Sequence, residues 1–251
     1  MNYSITHIAR IINATGTVVT DTTIDNLLLD SRKIYSPATS LFFAIKGTRR
    51  DGQQFITELY KKGVRNFVVS QEGEAGIYPD ANFLLVDDSL VALQQLAAYH
   101  CQQFNIPVIG ITGSNGKTII KEWLYQLLQE DYNIVRSPKS YNSQIGVPLS
   151  VWQMNEQHTL GIFEAGISEQ GEMIRLEKII QPTIGILSNI GEAHGEGFID
   201  SEHKFREKLS LFKNCNVLIG KEIYFEERRD VIDMLGPHLK VLTCGSNGSN
   251  W

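Results

Sequence analysis

Cysteine is scarce in this 251-residue chain, and the three present make no pattern. Cys101, Cys215 and Cys244 are scattered, odd in number and form no C-x-x-C pair, which argues against a disulfide framework or a zinc site and fits a reducing cytoplasm. Long hydrophobic runs are also missing: none approaches the roughly 20 residues that cross a bilayer. The first ten residues, MNYSITHIAR, lack the basic-then-apolar layout of a secretory signal, so no membrane insertion is expected. Positive charge is in the minority, 23 Lys and Arg against 28 Asp and Glu, for a net charge of −5. Without a basic stripe, no nucleic-acid partner is expected. There is no internal repeat and no low-complexity segment. The length allows two modest α/β domains, each able to bury its own core.

What is present is concentrated in residues 108–118, VIGITGSNGKT. The apolar residues 108–111 read as a buried strand, a tight glycine turn follows, and Lys117 and Thr118 open an amphipathic helix. A strand feeding a glycine loop into a helix N-terminus cradles phosphate. Backbone N–H groups face the anion, the helix dipole favours it, the lysine adds a point charge, and the threonine hydroxyl reaches a magnesium ion. Gly113, Ser114, Asn115, Gly116, Lys117 and Thr118 are therefore the expected nucleotide-binding set. Ile111 stands where the common phosphate loop has glycine, leaving the shorter G-x-x-G-K-T. The alternative, an ordinary strand-to-helix loop with a surface lysine, leaves both glycines and the GKT order as coincidence.

The chain reads as two halves. In the first, Ser4 caps a helix carrying Ile5, Ile8, Ile11 and Ile12. Strands are expected at 41–45, 67–69 and 83–86, a helix at 51–62 ended by Gly63, and another capped by Ser89 with Leu93, Leu96, Ala97 and Phe104 inward. Pro107 disfavours a helical Ile106, so the expected division is 1–105 and 106–251. The second half alternates strands (108–112, 161–164, 184–188, 217–219, 241–243) with helices (117–129, 201–212, 225–235). In the first of these helices, Ile120, Trp123, Leu124 and Leu127 are expected inward. That alternation predicts an α/β fold with a parallel sheet. Ligands bind at the carboxyl ends of such strands, where the phosphate loop, Glu164 and the segment after Ser188 should converge.

Several residues on that rim are candidates. Glu164 is placed to hold a nucleotide-bound magnesium opposite Thr118, or is a solvated acid at a strand end. His194, in the glycine-rich loop 189–197, is a metal ligand or a surface residue. Lys208 flanks the apolar stripe Phe205, Leu209 and Phe212, a position that by itself suits a snorkelling lysine. Asn142 precedes an Ile-Gly-Val-Pro turn into a helix and is either a neutral amide beside phosphates or a turn former. In the first half, the loops with Asp30, Ser31 and Arg32, and with Arg50, Asp51 and Gly52, carry donors suited to a diphosphate; taken alone, each is an ordinary polar loop.

Taken together these pieces resemble the Mur ligase family, ATP-dependent enzymes that add amino acids to the peptidoglycan precursor. The matching stretches run in family order: DSR at Asp30, the G-x-x-x-DG-x-x-F stretch from Gly47, TGSNGKT at Thr112, YNSQIGVPLS at Tyr141, FEAG at Phe163, and SNIGEAH at Ser188 with a lysine after it. Ile119 departs from the second Thr or Ser of many relatives, Ser143 from a common Asn, and Gly195 from a usual Leu. The resemblance implies a small N-terminal α/β domain for the UDP-linked substrate, then a phosphate-loop ATPase domain whose later part, with a third domain, lies beyond Trp251. It implies an amide ligase using ATP and two magnesium ions, joining D-alanyl-D-alanine to a UDP-N-acetylmuramoyl-tripeptide. It also implies the ligase half of a fusion with an alanine racemase. In that resemblance Lys117 contacts the transferred phosphate, and Thr118 and Glu164 hold one magnesium. His194 ligates the second, Lys208 is carbamylated, and Asn142 lies near the phosphates. Ser31, Arg32, Arg50, Asp51 and Gly52 match the UDP region. A folylpolyglutamate synthase-like ligase, or a non-catalytic module binding nucleotide and UDP-substrate, are the rival readings.

Overall fold

The computed structural model describes residues 2–16, 18–47, 51–71, 77–191, 200–226 and 235–245. It divides into two compact units, Met1–Tyr99 and His100–Trp251. The division falls before the boundary that Pro107 suggests.

In the first unit, Ser4 caps helix α1 (Ile5–Ile11) by accepting from the His7 N–H at 3.3 Å. Ile5 and Ile8 face the core. Strand β1 (Tyr3–Ser4) pairs antiparallel with β2 (Thr23–Ile24). The main sheet is parallel, with β3 (Asn26–Leu28), β4 (Ser40–Phe43), β5 (Asn66–Val69) and β6 (Asn82–Leu85) in sequence order. β4 and β5 are buried throughout, which is why they read as nearly continuous apolar runs. The helix expected at 51–62 is a 3-10 turn, Gly52–Phe55, capped by the Asp51 carboxylate, followed by α2 (Ile56–Lys61). Helix α3 (Ser89–Cys101) buries Leu93, Leu96 and Ala97. Its cap is Asp88, whose carboxylate accepts from Leu90 N at 2.7 Å and Val91 N at 3.1 Å. Ser89, expected to cap, is the first helical residue, and its buried hydroxyl has no hydrogen-bond partner.

The second unit is built on a six-stranded parallel sheet. Its strands are β7 (Val108–Thr112), β8 (Ile134–Arg136), β9 (Leu160–Glu164), β10 (Ile184–Leu187), β11 (Val217–Lys221) and β12 (Lys240–Cys244), in the order β12-β11-β10-β7-β9-β8. β9 lies on one side of β7 and β10 on the other, so chain direction around the sheet reverses there. A crevice opens at the carboxyl ends of strands at such a point. The helices are α4 (Lys117–Leu128), α5 (Gly146–Val151), α6 (Glu172–Ile180) and α7 (Ser201–Leu209). β8 and α6 were not expected from the sequence. Ile120, Leu124 and Leu128 of α4 pack on Ile109, Ile111, Leu160 and Ile162. Trp123 and Leu127 were expected on that face, yet they are 63% and 74% exposed. Ile120 and Leu124 face the sheet as expected; the stripe continues at four-residue spacing to Leu128 and does not widen to Trp123 and Leu127. Most of the helix expected at 225–235 lies outside the described residues. Among the described residues no helix is long and apolar enough to cross a membrane.

Candidate active site

The carboxyl end of β7 leads into residues 113–116, where two glycines have different tasks. Gly113 has φ +145°, and a Cβ there would lie 2.0 Å from Ser188 Oγ and 2.9 Å from Asn189 N and O. Gly116 has φ +80° and open space around it; it needs only the left-handed backbone that turns the loop into α4.

The segment after β10 fastens this loop. Asn189 O accepts from Ser114 N at 2.7 Å, and Asn189 Oδ1 accepts from Asn115 N at 2.7 Å. Ser188 Oγ donates to Asn115 O at 2.6 Å, and Gly191 N donates to Ser114 Oγ at 3.0 Å. Two N–H groups of the predicted phosphate cradle are therefore satisfied by an asparagine. The sequence places the segment after Ser188 on the rim beside the phosphate loop, as found, but carries no signal that Ser188, Asn189 and Gly191 bond to the loop itself.

Lys117 Nζ donates to Gly113 O at 2.8 Å. Burial lowers its pKa, Lys204 lowers it further, and the Glu164 charge partly opposes both. Thr118 Oγ1 donates to Glu164 Oε2 at 3.0 Å, so the strand-end acid and the loop threonine meet as expected. Glu164 is fully buried, not a solvated acid. Its Oε1 lies 2.9 Å from Lys121 Nζ in an ion pair whose two side chains are both fully buried.

Lys208, which sequence position alone assigned to a snorkelling role, is 3% exposed, and its Nζ lies 3.4 Å from Gly113 O. Burial pushes its pKa down to about 8, with smaller contributions from the charges of Lys117 and Lys204. Three lysines thus share one neighbourhood, a concentration of positive charge suited to a polyphosphate. Asn142 reaches the end of β9: its carbonyl accepts from Gly166 N at 2.8 Å, and a Cβ at Gly166 would lie 3.1 Å from its side-chain oxygen. His194 lies outside the described residues. Among those described, no group of three or more His, Cys, Asp or Glu gathers to hold a metal.

In the first unit the two polar loops border one cavity of about 250 Å³, lined by Asp30, Ser31, Arg32, Gly52, Phe43 and Phe55 among others. The Arg32 guanidinium pairs with Asp30 at 2.8 and 2.7 Å and holds that carboxyl well below the usual range. Asp51 is not among the lining residues; its carboxylate caps the 3-10 turn that carries Gly52 and Phe55. A Cβ on Gly52 would come within 2.7 Å of Ile45 N, so glycine is obligatory there. Arg50 is outside the described residues.

Comparison with known proteins follows the same division. The Mur ligase catalytic-domain family matches residues 23–100 and the Mur ligase middle-domain family residues 111–250. The UDP-N-acetylmuramoyl-tripeptide–D-alanyl-D-alanine ligase of Borreliella burgdorferi is 34% identical over 85% of this chain and 48% of its own length. That of Bacillus subtilis is 34% identical over 79% and 43%. A crystal structure of MurF from Acinetobacter baumannii superposes with a TM-score of 0.88 and 26% identity, covering 99% of this chain and 54% of that one. The Thermotoga maritima MurF ligase, solved in complex with ADP, gives 0.75 and 27% over 89% and 51%. The chain spans about half the length of the curated relatives it matches. With both of its units matched and its middle-domain match covering most of the second, the chain belongs to the Mur ligase family.

Proposed function

We propose that the whole protein is an ATP-dependent amide ligase that joins D-alanyl-D-alanine to a UDP-N-acetylmuramoyl-tripeptide in the cytoplasm, for peptidoglycan synthesis. The observation that carries this reading is the meeting of Thr118 and Glu164 beside a lysine-rich phosphate loop. The curated relatives carry this activity in their names, and a MurF neighbour has been solved with ADP.

The chemistry follows from the groups present. Residues 113–118 seat the phosphates with the backbone N–H groups that Asn189 leaves free, and the Lys117 ammonium exchanges its bond to Gly113 O for the γ-phosphate, offsetting charge as the substrate carboxylate attacks it. The bond between the γ-phosphorus and the β-phosphate oxygen breaks, ADP leaves and an acyl phosphate forms; the amine of D-alanyl-D-alanine then displaces phosphate from the acyl carbon and loses a proton to solvent. The donor set fits magnesium: a buried carboxylate and a hydroxyl 3.0 Å from one of its oxygens, two hard oxygen donors at the end of the phosphate loop. When bound, the metal supplies Lewis-acid neutralisation of the polyphosphate. Thr118 and Glu164 would hold one ion, with His194 and a carbamylated Lys208 holding a second. For that modification, the neutral Lys208 amine forms an N–C bond to carbon dioxide and loses a proton to solvent. Its lowered pKa, about 8, raises the fraction of neutral amine at and above neutral pH. Asn142 would place its amide beside the phosphates. The cavity of the first unit would take the uridine diphosphate, against Ser31, Arg32, Asp51, Gly52 and, from its place in the sequence, Arg50.

Because the chain spans half of its relatives, binding is the direct test. Calorimetry should show magnesium–ATP binding that weakens by about tenfold or more in Lys117→Ala, the scale of a lost charge-assisted hydrogen bond. Binding of a UDP-muramoyl-peptide should be unchanged in the same variant. Equal ATP affinity in variant and wild type would overturn the assignment.

A further inference from the structure

Lys121 is a charged residue with none of its side chain exposed, and neither the phosphate loop nor the apolar face of α4 requires it. Its ammonium sits in a cage of oxygens. It donates to Ser137 O at 2.7 Å and, at still closer range, to Lys139 O, and it lies 2.9 Å from Glu164 Oε1 and 3.2 Å from Glu122 Oε1. Lys139 is held at φ +50°, a left-handed conformation that a side chain makes unfavourable, in the turn whose carbonyl takes this ammonium. Glu122 is itself held by Arg136 at 2.6 and 2.7 Å, which closes the outer side of the cage. One nitrogen thus ties the first turns of α4, the only carboxylate in contact with Thr118 among the described residues, and the segment from Ser137 toward Asn142.

We propose that Lys121 is a positioning residue for the metal–nucleotide site. It fixes the Glu164 carboxylate with Oε2 turned to Thr118, braced by the carbonyls of Ser137 and Lys139. The residue touches neither phosphate nor metal and acts through Glu164. This inference rests on the ATP reading above. A buried staple with no bearing on the site would lower stability and weaken all nucleotide binding together; a positioning residue affects the metal-dependent part.

The test is the gain in ATP affinity that magnesium confers, measured as the ratio of dissociation constants with EDTA and with magnesium. In Lys121→Met the gain should fall by about tenfold or more, the usual effect of losing a partner that orients a ligand, while affinity in EDTA stays within about threefold. A gain that is unchanged or larger, or an equal fall in both affinities, overturns the proposal. If Lys121→Met does not fold, wild-type chain labelled with 15N-lysine decides. The Lys121 ammonium resonance should shift more with magnesium–ATP than with ATP in EDTA, and an identical shift in the two overturns it. Wild type showing no magnesium gain sinks the ATP reading itself. A normal wild-type gain that survives in Lys121→Met sinks only the role given to Lys121.

Discussion

A methyl group at position 113 would collide with Ser188 Oγ at 2.0 Å and with the backbone of Asn189, whereas one at position 116 would meet nothing. The two glycines of one loop therefore predict different losses. Gly116→Ala carries only the left-handed backbone penalty of about 1–2 kcal/mol. Gly113→Ala carries the steric displacement as well, and should lower stability by at least about 2 kcal/mol and detach the loop from residues 188–191. Urea unfolding of the two variants side by side checks the order; equal losses would mean that Ser188 moves aside freely. The same scale shows what single residues disclose. Gly113, Lys117, Thr118 and Glu164 were readable because each has its own place in a strand–loop–helix pattern. Lys208 was not, since its flanking position on α7 gives no hint that its tip reaches Gly113 O. Lys121 left no such trace either: its position in the second turn of α4 reads as an ordinary helical lysine, and only the fold brings Glu164 and the carbonyls of Ser137 and Lys139 to it.

Among the elements, α3 carries a test of its own. His100, 1% exposed, donates through Nε2 to Met154 O at 3.0 Å. Burial holds its pKa down to about 4 from the usual 6.5, against the smaller opposing effect of that hydrogen bond. The folded state therefore favours the neutral ring. Its stabilising effect is complete above pH 6.5 and is lost as pH falls toward 4, by up to about 3 kcal/mol. Urea unfolding from pH 7 to 4 should show wild type losing more than His100→Gln, which keeps a donor and does not titrate; parallel curves would refute the assignment. Element type was legible wherever apolar spacing was strong, as in β7 and β9. It failed where packing decided the detail. The three-residue β8 is too short to show a period. The inward face of α4 was drawn too wide: Ile120 and Leu124 pack inward, but Trp123 and Leu127, which look like core, face outward.

For the molecule as a whole, alternation of strand and helix was enough to predict the parallel sheet of the second unit, but not that the four-stranded sheet of the first unit is parallel too, nor that β9 and β10 would flank β7. That adjacency brings Glu164 and Ser188 to the phosphate loop, and it arises from crossovers that join segments distant in sequence. The UDP-side loops were legible as polar loops, and only the sheet of the first unit places Asp30–Arg32 and Gly52 around one cavity.

Distribution of the three thiols has a practical consequence. Cys101 and Cys215 are buried, and burial pushes both up to about 12, while Cys244 at the end of β12 is exposed. Thiolate is the reactive form, so a maleimide dye should attach to the native protein at one position and to the denatured chain at three. Counting dye per polypeptide by mass spectrometry would then report opening of the interior directly, and a fluorophore at Cys244 would give the sheet edge an optical reporter with no engineered attachment point.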